Sequence, residues 1–281
     1  MNKSPKPDLA FIEAAGARLA VRRWGSGEPV VCLHAIAHSG EDFAPFAARV
    51  GDGFEVIALD WPGQGDSPSD SHPVHAGRYA DILDAALPKL CGRPPILIGN
   101  SIGGAAAIVF AARRPEAVRA LVLCNAGGLA PVGPRERKAI ALLVAFFRAG
   151  ERRAWWFRAA FAAYYRLILP RAPKRRRQVV AGAYDVAPVL VQAWESFARP
   201  DADLRPLAPT IQTPTLFAWA KGDKIIPWSK SEDGARRFPR HAVHLFRGGH
   251  AAFLEDADAF AAVFREGVLK LQSPATGGKA A

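Results

Sequence analysis

Short apolar runs alternate with helix-period stretches along most of the chain. Residues 30–33, 54–59, 96–98, 120–123, 215–220 and 242–246 are near-continuous apolar runs, the pattern of strands buried on both faces. Residues 41–50, 79–90, 105–113, 230–237 and 258–270 carry helical patterns. Strands separated by helical crossovers predict an α/β fold, with a mostly parallel central sheet flanked by helices. Residues 17–24 alternate more loosely and are expected to form an edge strand.

This rhythm breaks between residues 127 and 207. The break opens on GGLAPVGP, a loop signal, and continues with AIALLVAFF, AWWFRAAFAAYYRLIL and VVAGAYDVAPVLVQAWESF. Several helices inserted into the sheet are predicted there, lying as a cap over the sheet edge where functional loops emerge. The expected organisation is a core of residues 9–126 and 208–272, a helical insertion of residues 127–207, and loose tails at 1–8 and 273–281.

Composition narrows the class. Of 281 residues half are apolar and 22% are charged, which excludes a disordered or fibrous chain. The net charge is +11, and residues 131–180 carry all of it, with thirteen Lys and Arg against two Glu. Because the rest of the chain is balanced, no nucleic-acid partner is expected. Three cysteines without a CxxC spacing, and an N-terminus without an apolar signal core, are expected of a cytoplasmic protein.

The sharpest chemical signal is Gly99-Asn100-Ser101-Ile102-Gly103-Gly104, between an apolar strand and an Ala-rich helix. A serine at such a turn projects its hydroxyl above the sheet. Side chains two residues before and after it would collide, and the following helix directs unpaired N–H groups at the site. A serine nucleophile needs a base, and the base needs orienting. Of the seven histidines, His250 follows a Gly pair just past the strand 242–246, at the carboxyl edge where ligands meet α/β sheets. Asp223 follows the strand 215–220 beside Gly222 and completes a Ser101, Asp223, His250 set.

These residues resemble the α/β-hydrolase superfamily, in its capped branch of esterases, carbon–carbon bond hydrolases, haloperoxidase-like enzymes and epoxide hydrolases. The likeness covers nearly all of the chain outside the insertion. Leu33-His34-Ala35-Ile36 stands where the family has His-Gly, and the segment from Asp60 to Ser67 is similar to its D-x-x-G-x-G-x-S loop. The resemblance implies an α/β-hydrolase fold with an inserted helical cap and an oxyanion hole made by the backbone N–H groups of Ile36 and Ile102. Ala35 departs from the usual Gly, which is costly if that position needs a positive φ. Serine at the elbow disfavours the carboxylate-dependent chemistries.

The implied function is a serine hydrolase that needs no metal or cofactor and acts on a carboxylic ester with a hydrophobic portion. The alternatives are a carbon–carbon bond hydrolase, a perhydrolase or haloperoxidase, and a non-enzymatic ligand receptor. Carbon–carbon hydrolases share G-N-S-[ML]-G-G, but Ala35-Ile36-Ala37-His38 lacks their Gly-rich loop and Ala251 lacks their aromatic residue after the histidine. His38, Trp155 and Trp156 are the expected pocket residues, and His34 is expected to pack beneath the oxyanion loop. His72 and His75 form an H-x-x-H without a clear third metal ligand. The run Lys174-Arg175-Arg176-Arg177 reads first as a solvated helix face. The basic, aromatic insertion is expected to line the pocket first and to make peripheral membrane contact second.

Overall fold

A computed structural model describes residues 7–272. The expected tails therefore lie outside the described residues, except that Asp8 already opens a strand. In chain order the elements are β1 (Asp8–Ala14), β2 (Ala17–Gly25), β3 (Gly27–Leu33), α1 (Ala44–Ala47), β4 (Gly53–Leu59), α2 (Ala76–Leu90), β5 (Ile96–Asn100), α3 (Ile102–Arg113) and β6 (Ala120–Cys124). Then come α4 (Pro134–Glu151), α5 (Phe157–Ile168), α6 (Pro173–Ala181) and α7 (Ala187–Phe197). The chain closes with β7 (Thr215–Ala220), α8 (Trp228–Arg236), β8 (His241–Phe246), α9 (Ala252–Glu255) and α10 (Ala257–Gln272).

One sheet runs in the order β1-β2-β4-β3-β5-β6-β7-β8. The β1–β2 and β2–β4 pairs are antiparallel, and the remaining pairs are parallel. Every residue of β5, β6 and β7 is buried, as continuous apolar runs require. The loops after β3, β5, β6, β7 and β8 thus leave one edge of the sheet together.

Two expectations change. Residues 17–24 are internal, because β1 folds back onto β2 through Ala15 and Gly16, both at positive φ, and takes the edge itself. Leu9 and Phe11 of β1 stay largely exposed, with Arg18 stacked over the Phe11 ring, so β1 has little inward apolar pattern. Residues 41–50 form a 3-10 turn (Gly40–Phe43) and the single turn of α1 instead of one helix. Pro45 accounts for the restart, since it has no N–H to carry a helix through from the turn before it.

Helix α3 is Ala- and Gly-rich and buried from Ile102 to Ala111, so it packs on all sides. Between β6 and β7 stand α4 to α7. Phe157, Phe161, Tyr165 and Ile168 form the buried stripe of α5, while Arg158 and Arg166 face out. Gly150 does not end α4. A Cβ there would meet the Phe157 ring at 2.5 Å, so glycine serves close packing, and the break falls at Arg153 with φ +52°. Among the described residues no helix is long and apolar enough to cross a membrane.

Candidate active site

Ser101 sits at the turn from β5 into α3 with φ +55° and ψ −117°. The turn is clamped by backbone bonds: its N–H donates to the Cys124 carbonyl at 3.1 Å, and its carbonyl accepts from Ala105 and Gly127 at 3.0 Å each. A Cβ on Gly99 would lie 2.7 Å from the Gly103 carbonyl oxygen, and one on Gly103 would run into the Leu33 carbonyl. The glycines two before and two after the serine are therefore demanded by close approach.

His250 follows β8. Its N–H donates to the Ile168 carbonyl and its own carbonyl accepts from Asn100 Nδ2, both at 2.9 Å. Its Nδ1 lies 2.7 Å from Asp223 Oδ2. Asp223 is 3% exposed and is held from two further directions: Oδ2 accepts from Asn125 Nδ2 at 2.7 Å, and Oδ1 accepts from the N–H groups of Ile225 and Ile226 at 2.7 and 3.1 Å. Burial works against the Asp223 charge, yet the imidazole and these donors bring its pKa below the usual carboxylate value. Burial likewise works against a charged His250, but the Asp223 charge and hydrogen bond raise its pKa above the ordinary histidine value.

Ser101 and His250 line one cavity of about 780 Å³, together with Ile36, His38, Tyr165 and Trp194 among others. Among the described residues, Ser101 makes no side-chain hydrogen bond to His250. Such bonds are often long before substrate arrives. Ile102 is fully buried at the start of α3. Neither its N–H nor that of Ile36 has a protein partner among the described residues, which leaves both available to a ligand.

The loop carrying Ile36 is fixed from below. Trp61 donates its N–H to His34 Nε2 at 2.9 Å and its indole N–H to the His34 carbonyl at 3.0 Å, while His34 Nδ1 bonds the Ala35 carbonyl. The positive φ falls at Ala37 (+63°) and not at Ala35, and Gln64 Oε1 accepts the Ala37 N–H at 2.7 Å. Burial brings the His34 pKa down to about 4. The unfolded chain therefore binds the extra proton first as pH falls. Stability from this site is complete above about pH 6.5 and is lost as pH drops toward 4, a change of about 3 kcal/mol. Urea midpoints should fall across that window, and a His34→Asn variant, weaker throughout, should show a shallower fall.

Trp155 and Trp156 are corrected as pocket residues. Trp155 is 90% exposed, and Trp156 lies against Phe146 and Phe157 outside the cavity. Both precede the buried stripe of α5, whose Tyr165 reaches the cavity instead. His72 pairs with Asp70, and His75 caps α2 by accepting the Arg78 N–H.

Sequence reasoning missed Asn125 and Glu255. Asn125 directly follows β6 and sits at φ +43°, a strand-end position that marks it in hindsight. The Glu255 carboxylate accepts the Gly249 N–H at 2.6 Å and the Arg171 N–H at 2.8 Å, tying the His250 loop to the segment after α5.

Comparison with known proteins agrees with this architecture. The alpha/beta hydrolase fold family matches residues 28–257. The chain is similar, at 29% identity over 91% of its length and 98% of the relative's, to a pimeloyl-[acyl-carrier protein] methyl ester esterase of Stenotrophomonas maltophilia. It is also similar, at 27% identity over 86% of its length and 88% of the relative's, to a 2-hydroxy-6-oxononadienedioate/2-hydroxy-6-oxononatrienedioate hydrolase of Klebsiella pneumoniae. Among solved structures, a thermophilic esterase from Thermogutta terrifontis superposes with a TM-score of 0.79 at 22% identity, covering 95% of this chain and all of that one. With its eight-stranded sheet, its strand-to-helix serine turn and these hydrolase relatives, the chain belongs to the alpha/beta hydrolase fold family.

Proposed function

We propose that this hydrolase is a serine esterase that cleaves a carboxylic ester with a hydrophobic portion through an acyl-enzyme. The observation that carries the reading is the buried His250–Asp223 hydrogen bond, with His250 and Ser101 on the wall of one cavity. In this reading residues 127–207 act as a cap over a core of residues 9–126 and 208–272, and Tyr165 and Trp194 line its underside.

Ser101 Oγ attacks the ester carbonyl while its proton passes to His250 Nε2. Asp223 holds the Nδ1–H and stabilises the imidazolium. The N–H groups of Ile36 and Ile102 receive the oxyanion, and losing one such donor costs about 2.7–4 kcal/mol in a serine hydrolase. Collapse expels the alkoxide, which takes the proton from His250. Water then adds to the acyl-enzyme with His250 as base, and the acid departs as Ser101 regains its proton. The exposed Trp155, with exposed Arg152 and Arg158 three residues away on either side in the chain, supports peripheral contact of the cap with an anionic membrane as a further part of this proposal.

Carbon–carbon bond hydrolysis is the second reading, favoured by the relative at 27% identity. A panel of p-nitrophenyl esters of graded length, run beside a vinylogous diketone, separates the two. Ester turnover well above diketone turnover, with fluorophosphonate labelling of the protein, is the expected result. Faster diketone cleavage favours the second reading, and no labelling with no turnover of either class overturns both.

A further inference from the structure

A second imidazole–carboxylate pair stands in the same cavity and has no part in the steps above. His38 lines the cavity and is 4% exposed, and its Nδ1 hydrogen-bonds Asp42 Oδ2. Asp42 is 2% exposed, and its other oxygen accepts from Arg175 Nε. Arg175 belongs to α6, in the insertion. It also donates through Nη2 to Ser39 Oγ at 2.9 Å and lies 3.7 Å from the Glu41 carboxylate. The basic run 174–177 is thus not wholly a solvated face: Lys174 and Arg177 are exposed, whereas the Arg175 side chain is turned in and only 14% exposed.

The arrangement fixes what the imidazole offers. Asp42 is acceptor-only and engages Nδ1, so in the neutral ring Nδ1 carries the proton and Nε2 carries a lone pair. Arg175 supplies the permanent counter-charge to Asp42. Among the described residues Nε2 makes no protein hydrogen bond, and it is not among the side-chain atoms sealed from solvent without a partner. It therefore opens on the cavity. In the mechanism proposed above the N–H of Ile36, two residues before His38, receives the oxyanion, and His38 shares its cavity with Ser101, with the apolar Ile168 and with Tyr165, whose ring lies 5.8 Å from the imidazole.

We propose that His38 Nε2 forms a polar subsite that accepts a hydrogen bond from a substrate hydroxyl close to the scissile carbonyl, with Asp42 and Arg175 as positioning residues. The preferred substrate is then a hydroxylated ester, such as a 3-hydroxyacyl ester or a monoester of a diol. The assignment rests on the ester-hydrolase reading for what is cleaved, but binding tests it separately. Because Arg175 comes from the insertion, the subsite is complete only when α6 is docked on the loop after β3.

The test measures binding to Ser101→Ala protein, in which cleavage is disabled. Methyl 3-hydroxyoctanoate is compared with methyl octanoate, and glycol mono-octanoate with ethyl octanoate, so that the two pairs tell the acyl side from the alcohol side. In one pair the hydroxylated ligand should bind about 5- to 10-fold tighter, the worth of one added hydrogen bond. Adding His38→Asn keeps an N–H for Asp42 but removes the acceptor at Nε2, and the preference should vanish. Adding Arg175→Met leaves His38 in place and should weaken the preference by about 2- to 3-fold. Equal binding within both pairs overturns the subsite whatever the variants do, and so does a preference that survives His38→Asn. If His38→Asn fails to fold, Arg175→Met decides: an undiminished preference overturns the assignment. If the hydroxyl preference is found but wild-type protein cleaves neither ester, the esterase reading fails and the subsite stands.

Discussion

Ser101→Ala is expected to lower kcat on the best ester by about 10⁶-fold and to abolish fluorophosphonate labelling, with the fold intact. The size of the loss follows from removing the nucleophile of a set that acts as a unit, where losing the serine or the histidine alone costs about as much as losing all three members. The intact fold follows from the backbone. The turn is held by the bonds of Ser101 to Cys124, Ala105 and Gly127, none of which uses the hydroxyl. Alanine keeps the positive φ and gains no relief, whereas glycine relieves it. Ser101→Gly should therefore be equally inactive but about 1 kcal/mol more stable than Ser101→Ala, a Tm difference of about 2–4 °C by calorimetry. Equal Tm values for the two would contradict the strain assigned to this turn.

Asp223→Asn is expected to cost about 10⁴-fold in kcat, for a reason visible in the four hydrogen bonds of the native carboxylate. The N–H groups of Ile225 and Ile226 both donate to Oδ1, so the oxygen of the introduced amide must occupy that position. Its NH₂ group then faces Asn125 Nδ2 and His250 Nδ1, both of which need an acceptor. The imidazole is driven to the tautomer with its proton on Nε2, where it cannot act as a base toward Ser101. The pH profile carries a second signature. In the native protein Asp223 raises the His250 pKa above the ordinary 6.5, so kcat/KM should fall on the acid side from above pH 6.5. Without the carboxylate the opposing effect of burial dominates, and the residual activity should keep its base form to lower pH. A profile that does not move would remove Asp223 from the role assigned to it.

What the sequence made legible followed buried regularity. Strands β5, β6 and β7 are apolar at almost every position because both faces are covered, and Ser101, Asp223 and His250 each follow closely on such a strand or on β8. The edge strand β1 escaped notice because Leu9 and Phe11 point to solvent as often as the polar residues beside them. Trp155 and Trp156 misled because bulk alone does not say which way a side chain faces, whereas the spacing of Phe157, Phe161, Tyr165 and Ile168 does. Asn125 reaches a partner 98 residues away, Glu255 one 84 residues away, and Arg175 partners 133 and 136 residues away. Local pattern holds no record of such pairings.

The two hydrogen bonds at Glu255 and the bond from the His250 N–H to the Ile168 carbonyl have an engineering consequence. His250 and the end of α5 share a staple, so residues 127–207 are not an interchangeable module. A chimera that imports another enzyme's helices at these junctions must reproduce an acceptor for the His250 amide and a donor for the Glu255 oxygen, or the imidazole will wander. Motion that parts α5 from the sheet would likewise drag His250 with it, so ligands should enter where residues 127–207 are not pinned, away from Ile168 and Arg171.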